Sequence, residues 1–282
     1  MSHAACPSTS WTRLLLAFTV TGFVGAASAQ AQDTDARAAQ EEAAALAKQV
    51  QNPLATLVTM PFQANYNEGV GQFDRRSTNV NFQPVIPFPG KKWNLIARTI
   101  ISFISIPVGE TAAETGFSDL TFTLFASPAK ASSVTWGVGP ALVLPLASNP
   151  ELLGTGKFSI GPSAVVFAGA GKFTFGGVAN NVWSVGGDAD RESVNQFFFQ
   201  YFLNYNFGGG WAVGTAPIIT CDWNAPDGEQ CTIPWGAQIS KVLNLGSRPA
   251  NILFGYYKNS EHPTDGAESQ IRFQVNLLFP QH

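Results

Sequence analysis

The feature that most constrains this chain is an alternation of apolar and polar residues with a period of two, held over segments longer than ordinary strands. In residues 268–279, Ile271, Phe273, Val275, Leu277 and Phe279 share one face, and Gln270, Arg272, Gln274 and Asn276 the other. Residues 194–207 set Phe197, Phe199, Tyr201, Leu203, Tyr205 and Phe207 against Gln196, Gln200, Asn204 and Asn206. Val80, Phe82 and Ile86 oppose Asn79, Asn81 and Gln83, and Leu120, Phe122 and Leu124 oppose Asp119, Thr121 and Thr123. Successive side chains of a strand point to opposite faces, so each set occupies one side of a sheet. A soluble barrel turns its apolar face inward and coats its outside with charge. Here the polar rows are amides and hydroxyls, and only 12% of residues are charged, about half the usual share. Too little charge exists to coat an aqueous exterior. The inverse arrangement, apolar outside and polar inside, is that of a transmembrane β-barrel.

Twelve such segments follow one another: 54–66, 77–88, 93–107, 117–126, 134–147, 156–168, 172–184, 194–207, 211–222, 230–243, 249–258 and 268–279. Each is long enough to cross a bilayer when tilted, and closure removes the edges that hydrocarbon cannot satisfy. The fold expected is all-β: a closed antiparallel transmembrane barrel of about 12 strands, residues 54–279, preceded by a short helix. The fifth, seventh and ninth segments alternate less cleanly, which leaves their register open. Alternate connections, counted from the first strand, are long and hold most of the 19 acidic residues. The others are short, as at Ala170-Gly171 and Gly208-Gly209-Gly210. Trp93, Trp136, Trp183, Trp211, Trp235, Tyr256 and Tyr257 lie near strand ends, where aromatic girdles meet lipid headgroups.

Ahead of the barrel, residues 34–51 are Ala-rich and free of Gly and Pro, and Asn52-Pro53 ends the helix they predict. Within the segment 30–53 it forms a periplasmic cap or a plug entering the lumen. Residues 1–29 read as a secretory signal: Arg13, an apolar run from Leu14 to Val24, then Ala27-Ser28-Ala29, with Ala31 a second possible cleavage point. Export to the outer membrane follows, and Cys6 leaves with the signal. Cys221 and Cys231 remain, bracketing a turn-rich loop, and in an oxidising compartment they are a disulfide candidate.

The search for chemistry yields little. The mature chain has two histidines, His262 in a polar loop beside Ser260 and Glu261, and His282. A lipase-like pair needs a His within hydrogen-bond reach of its nucleophile, and no strand holds His262. No metal-ligand cluster, cofactor motif or phosphate loop is visible, and a net charge of −3 gives no footprint for nucleic acid. The remaining candidates line a lumen: Arg98, Asp119, Gln196, Gln200, Asn204, Gln270, Arg272, Gln274 and Asn276. Arg98, Arg272 and Asp119 form either a constriction selecting solutes by charge or a salt-bridge network, with Arg98 pairing Asp119 across adjacent strands. Lys241 falls on the lipid side near a strand end, where its stem snorkels.

The stretches LAKQVQNPLATLVTMPFQANYN, QPVIPF, KKWNLIARTIISFIS, GFSDLTFTLFASP and WGVGPALVLPLA resemble a family of Gram-negative outer-membrane proteins. Its members are labelled transporter or, misleadingly, neuromedin U. The chain is also similar to the wider outer-membrane family attached to meta-pathway phenol degradation. The resemblance runs from about residue 45 to the end and implies a barrel with a transport role. It also implies a C-terminal aromatic read by the barrel-assembly machinery; here Phe279 is followed by Pro280, Gln281 and His282. The expectation is a channel for small molecules, with a hydrophobic or aromatic solute implied by the resemblance alone. A closed structural or adhesive barrel acting through its outer loops is the alternative. Neither needs a cofactor or a catalytic residue.

Overall fold

The computed structural model describes Met1 and residues 37–130, 132–246 and 248–280. The signal segment, apart from Met1, lies outside the described residues. Twelve staves follow in chain order: β1 (Leu57–Val70), β2 (Arg75–Phe82 continued by Val85–Phe88), β3 (Trp93–Val108), β4 (Ala112–Phe117 continued by Leu120–Pro128), β5 (Val134–Leu144) and β6 (Lys157–Ala170). Then come β7 (Phe173–Gly187), β8 (Asn195–Gly208), β9 (Trp211–Thr215 continued by Ile218–Asp222), β10 (Cys231–Leu245), β11 (Arg248–Glu261) and β12 (Ser269–Pro280). Each pairs antiparallel with its sequence neighbours, and β12 returns to β1 from Leu57↔Pro280 to Glu68↔Ser269. The sheet is closed.

The outward row carries the apolar belt. Phe62, Tyr66, Val80, Leu95, Phe103, Val138, Val166, Phe175, Leu203, Val213, Ile239, Phe254 and Phe273 are all exposed. Such a surface is tolerable only against lipid. Two girdles bound it. Trp93, Trp136 and Trp211 sit at the end that carries the N-terminus, and Trp183, Trp235 and Tyr256 near the other; all are exposed. Lys241 reaches back over the Trp211 ring at 4.6 Å, as a snorkelling cation does. Tyr257 does not belong to a girdle. It is 1% exposed, because it stands on the opposite parity from Tyr256 and points into the barrel.

Three staves are interrupted midway, at Gln83-Pro84, Ser118-Asp119 and Ala216-Pro217. Two of the breaks hold a proline, which cannot donate to the ladder. The outer connections differ from expectation at two places. β1 and β2 run on to a short turn at 71–74, and β3 and β4 to one at 109–111. Polar residues such as Asn67, Glu68, Glu114 and Thr115 are at home in a sheet that has left the membrane. The fifth, seventh and ninth staves keep period two throughout. Even-numbered residues face outward in β5, odd-numbered ones in β7 and β9.

Candidate functional site

The site is the lumen, and its lower half is partly filled by residues 51–55. Residues 37–50 form a helix. Leu46 and Ala47 are buried against Leu57, Val242 and Leu278 on the inner wall, and Lys48 Nζ donates to Gly171 O at 2.9 Å. The apolar edge at Leu46 and Val50 is what docks it. Gln51 then enters the barrel, where its amide donates to Asn206 Oδ1 at 3.0 Å and accepts from Thr174 and Asn206. Leu54, 4% exposed, closes on Ile96, Phe125, Val165 and Val178, with Val85 and Phe198 alongside. Burying one leucine in this way is worth about 1.5–3 kcal/mol. The helix thus lies across the mouth beside the turns at 171 and 208–210, and the residues that follow it, 51–55, plug the lumen.

This apolar lining is unexpected. Staves β3 to β7 present Ile96, Phe125, Ala141, Val165, Val178 and Val182 inward. Only glycine fits at position 176 on that wall, since a Cβ there would lie 2.1 Å from Val166 O and 2.8 Å from the Phe202 ring. The opposite wall, β11, β12, β1 and β2, presents Asn251, Asn276, Gln274, Gln63, Asn65 and Asn81. One wall is oily and the other amide-rich.

Above the plug the lumen opens into two chambers. One, of about 640 Å³, rises between β3 to β10 to Ala225, Glu229 and Pro263 of the outer loops. The other, about 340 Å³, faces the amide wall. A narrower space of about 200 Å³ runs down beside residues 50–55. Arg98 lines all three.

The structure places eight of the nine lumen candidates on these cavities. Gln196 lines the larger chamber, Gln200 and Arg272 line the smaller chamber and the lower space, and Gln270 the smaller chamber. Asn204, Gln274 and Asn276 line the lower space. Asp119 lies elsewhere. It accepts from Ala147 N at 3.2 Å, and from Thr155 N and Oγ1 at 2.7 and 2.8 Å, clamping the outer connection 145–156. Arg98 pairs in register with Thr123, so Asp119 stands four positions higher, roughly 13 Å along the strand. The expected Arg98–Asp119 pair does not form.

Arg272 is held without any acid. Nε donates to Asn65 Oδ1 at 3.3 Å, Nη1 to Ala216 O at 2.9 Å and Nη2 to Gln270 Oε1 at 2.9 Å. Its guanidinium stacks on Tyr257 at 4.6 Å, whose hydroxyl donates to Gln238 Oε1 and accepts from Ala216 N. The break at Ala216-Pro217 supplies this carbonyl and this N–H. Sequence parity alone would have placed Tyr257 inside.

The outer connections are tied to one another. Gly71 N donates to Asp265 O, and Thr264 donates to Glu229 through backbone and hydroxyl. Asn224 donates to Ser193, Arg191 to Gly154 and Thr155, and Asn149 to Glu114. Arg75 completes the circuit by donating to Gly109 O and Thr111 O. The side-chain bond from Thr264, then its backbone N–H, holds the Glu229 carboxyl below its ordinary value. Cys221 and Cys231 face each other across β9 and β10, Cα–Cα 4.1 Å, and form a disulfide at the base of their loop. Ser260 Oγ donates to Ile233 O, and His262 Nδ1 lies against Pro263 O, so this serine and histidine do not engage each other. Among the described residues no group of three His, Cys, Asp or Glu is placed to hold a metal.

A closed sheet with a lipid-facing belt and a partly plugged polar lumen defines a small outer-membrane β-barrel. More particularly, the chain belongs to the family of the MetA-pathway of phenol degradation, whose pattern it matches over residues 48–218, more than half its length. Among solved structures it is similar to an outer-membrane channel of Pseudomonas putida F1. The identity is 13%, the TM-score 0.60, and the match covers 79% of this chain and 94% of that one. The outer-membrane phospholipase of Salmonella typhi, a dimer with bound calcium, gives 12% identity and a TM-score of 0.43, covering 83% of this chain and 98% of that one. No curated protein matches the chain in sequence.

Proposed function

We propose that this barrel is a passive outer-membrane channel for small molecules, reached after export and signal cleavage. Its partners are the surrounding lipid, the barrel-assembly machinery and the solute it passes. The observation that carries this reading is the meeting of three cavities at Arg98, which together span the lumen from residues 50–55 to the outer loops. The similar barrel of Pseudomonas putida F1 is described as a channel, and the family is attached to phenol degradation. Both agree with a solute that is apolar or aromatic in part, and the oily wall suits its body. The pore needs no catalytic step. Reconstitution into planar bilayers tests the reading: discrete conductance steps are expected, with swelling of liposomes in small solutes. A folded barrel that gives neither is no channel.

The second reading is a closed structural or adhesive barrel acting through its outer face. The Leu54 plug and the tied loops favour it. It requires that the full-length barrel stay silent and conduct only when residues 37–54 are deleted.

A further inference from the structure

The two lumen arginines are held differently. Arg272 has each guanidinium nitrogen bonded and a ring beneath it. Arg98 makes one hydrogen bond, from Nη2 to Gln83 Oε1 at 3.0 Å. A guanidinium carries five N–H donors and stays charged. Most donors of Arg98 are therefore uncommitted to any described group. Among the described residues the one salt bridge is Arg76–Glu68, on the outer rim. A cation enclosed without a counter-charge is costly and attracts an anion that can reach it.

The chamber of about 340 Å³ that Arg98 shares with Arg272 has no acid in its wall. Asn79 and Asn81 also line it, and each has a buried side-chain oxygen without a hydrogen-bond partner. Such an oxygen calls for a donor. Ile100, Phe198 and Ile218 give the same chamber an apolar side. A cavity of roughly 150 Å³ admits benzene, so a ring with polar substituents and some water fits. Asp222 and Glu229 line the neighbouring chamber, which disfavours an anion resting there.

We infer that this chamber binds a small hydroxylated organic carboxylate with an apolar body. Its carboxylate sits on the free fork of Arg98, and its hydroxyl donates to Asn79 or Asn81. A fork and a carboxylate match in two parallel hydrogen bonds, which an amide in its place cannot reproduce. Arg272 adds positive potential without moving. The inference names the solute class of the proposed channel and rests on that reading for its biological use, though the binding itself does not require conduction.

Calorimetry on the full mature chain in detergent tests it, with 4-hydroxybenzoate as probe and 4-hydroxybenzamide as its neutral counterpart. The acid is expected to bind about ten- to a hundredfold more tightly than the amide, the range for hydrogen bonds to a charged group. Arg98→Gln should abolish that preference. Arg98→Lys should keep part of it, as a charge without a fork. Asn79→Ala with Asn81→Ala should weaken 4-hydroxybenzoate but not benzoate. Heat-modifiable gel migration reports that each variant is folded. Equal affinity for acid and amide overturns the site, as does a preference that survives Arg98→Gln in a folded barrel. Bilayer currents in plain salt judge the channel separately. A barrel that conducts but ignores the carboxylate loses this site alone, and one that binds the acid but never conducts keeps the site and loses the channel.

Discussion

The two walls of the lumen solve the same problem by opposite means. The wall of β11, β12, β1 and β2 is built of amides that bond to one another and to Arg272, as in Gln63 to Asn65 and Gln270 to Asn67. It can face water, and it holds its own shape. The wall of β3 to β7 carries Ile96, Phe125, Val165 and Val178, which have nothing to bond with and gain only by being covered. Leu54 covers them. Leu54 therefore belongs to this wall, while the helix before it docks on Leu57, Val242 and Leu278. A lumen polar on every side would have no physical reason to hold this leucine.

The comparison is most exposed to deletion of residues 37–54. The barrel still closes from Leu57, so a folded product with a large rise in single-channel conductance is expected; unchanged conductance would mean the oily wall is closed by something else. Arg272→Ala strips several charge-assisted hydrogen bonds from the amide wall and should cost about 3 kcal/mol in urea unfolding from lipid vesicles. Leu54→Ala should cost about 2 kcal/mol and raise conductance less than the deletion does. Arg98→Ala loses one charged hydrogen bond but also removes an enclosed cation that lacks a counter-charge, so its net cost should be under about 1 kcal/mol; a loss matching that of Arg272 would erase the distinction between the two arginines. The smallest effect concerns the outer rim, away from both walls. Glu229 titrates below its usual 4.5 when folded because Thr264 bonds its ionised form. The rim's stabilisation is thus complete above that usual value and is lost as pH falls through the lowered one. Proteolysis of residues 262–268 should quicken at about pH 3 relative to pH 7, and Glu229→Gln should remove the difference.

The strand count, the lipid-facing rows and the pairing of Cys221 with Cys231 were legible because each rests on local pattern. Period two needs only neighbours, and a cysteine pair so close needs only its loop. What failed depended on distant register or on which face stays wet. The pairing of Arg98 with Asp119 required a stagger that places Thr123, and not Asp119, beside Arg98. Assigning Tyr257 to a girdle went by nearness to a strand end, although its parity is that of Gly255 and Asn259. The oily wall was hidden because Val178 and Val182 make their segment apolar on both faces, and this reads as lost alternation. The short turn at 109–111 was hidden because the small and polar residues 112–116 after Gly109-Glu110-Thr111 carry no apolar alternation and read with them as one loop.

The circuit of ties around the outer mouth has a consequence for how the cell surface presents this molecule. Glu229, Thr264, Asp265, Gly71, Arg75, Asn149, Arg191 and Asn224 draw on every outer connection. What an antibody or a phage fibre meets is one composite surface, with no separate loops to grasp. Immunisation with the folded barrel should elicit binders that fail on boiled protein, whereas peptides copied from single loops should make poor immunogens.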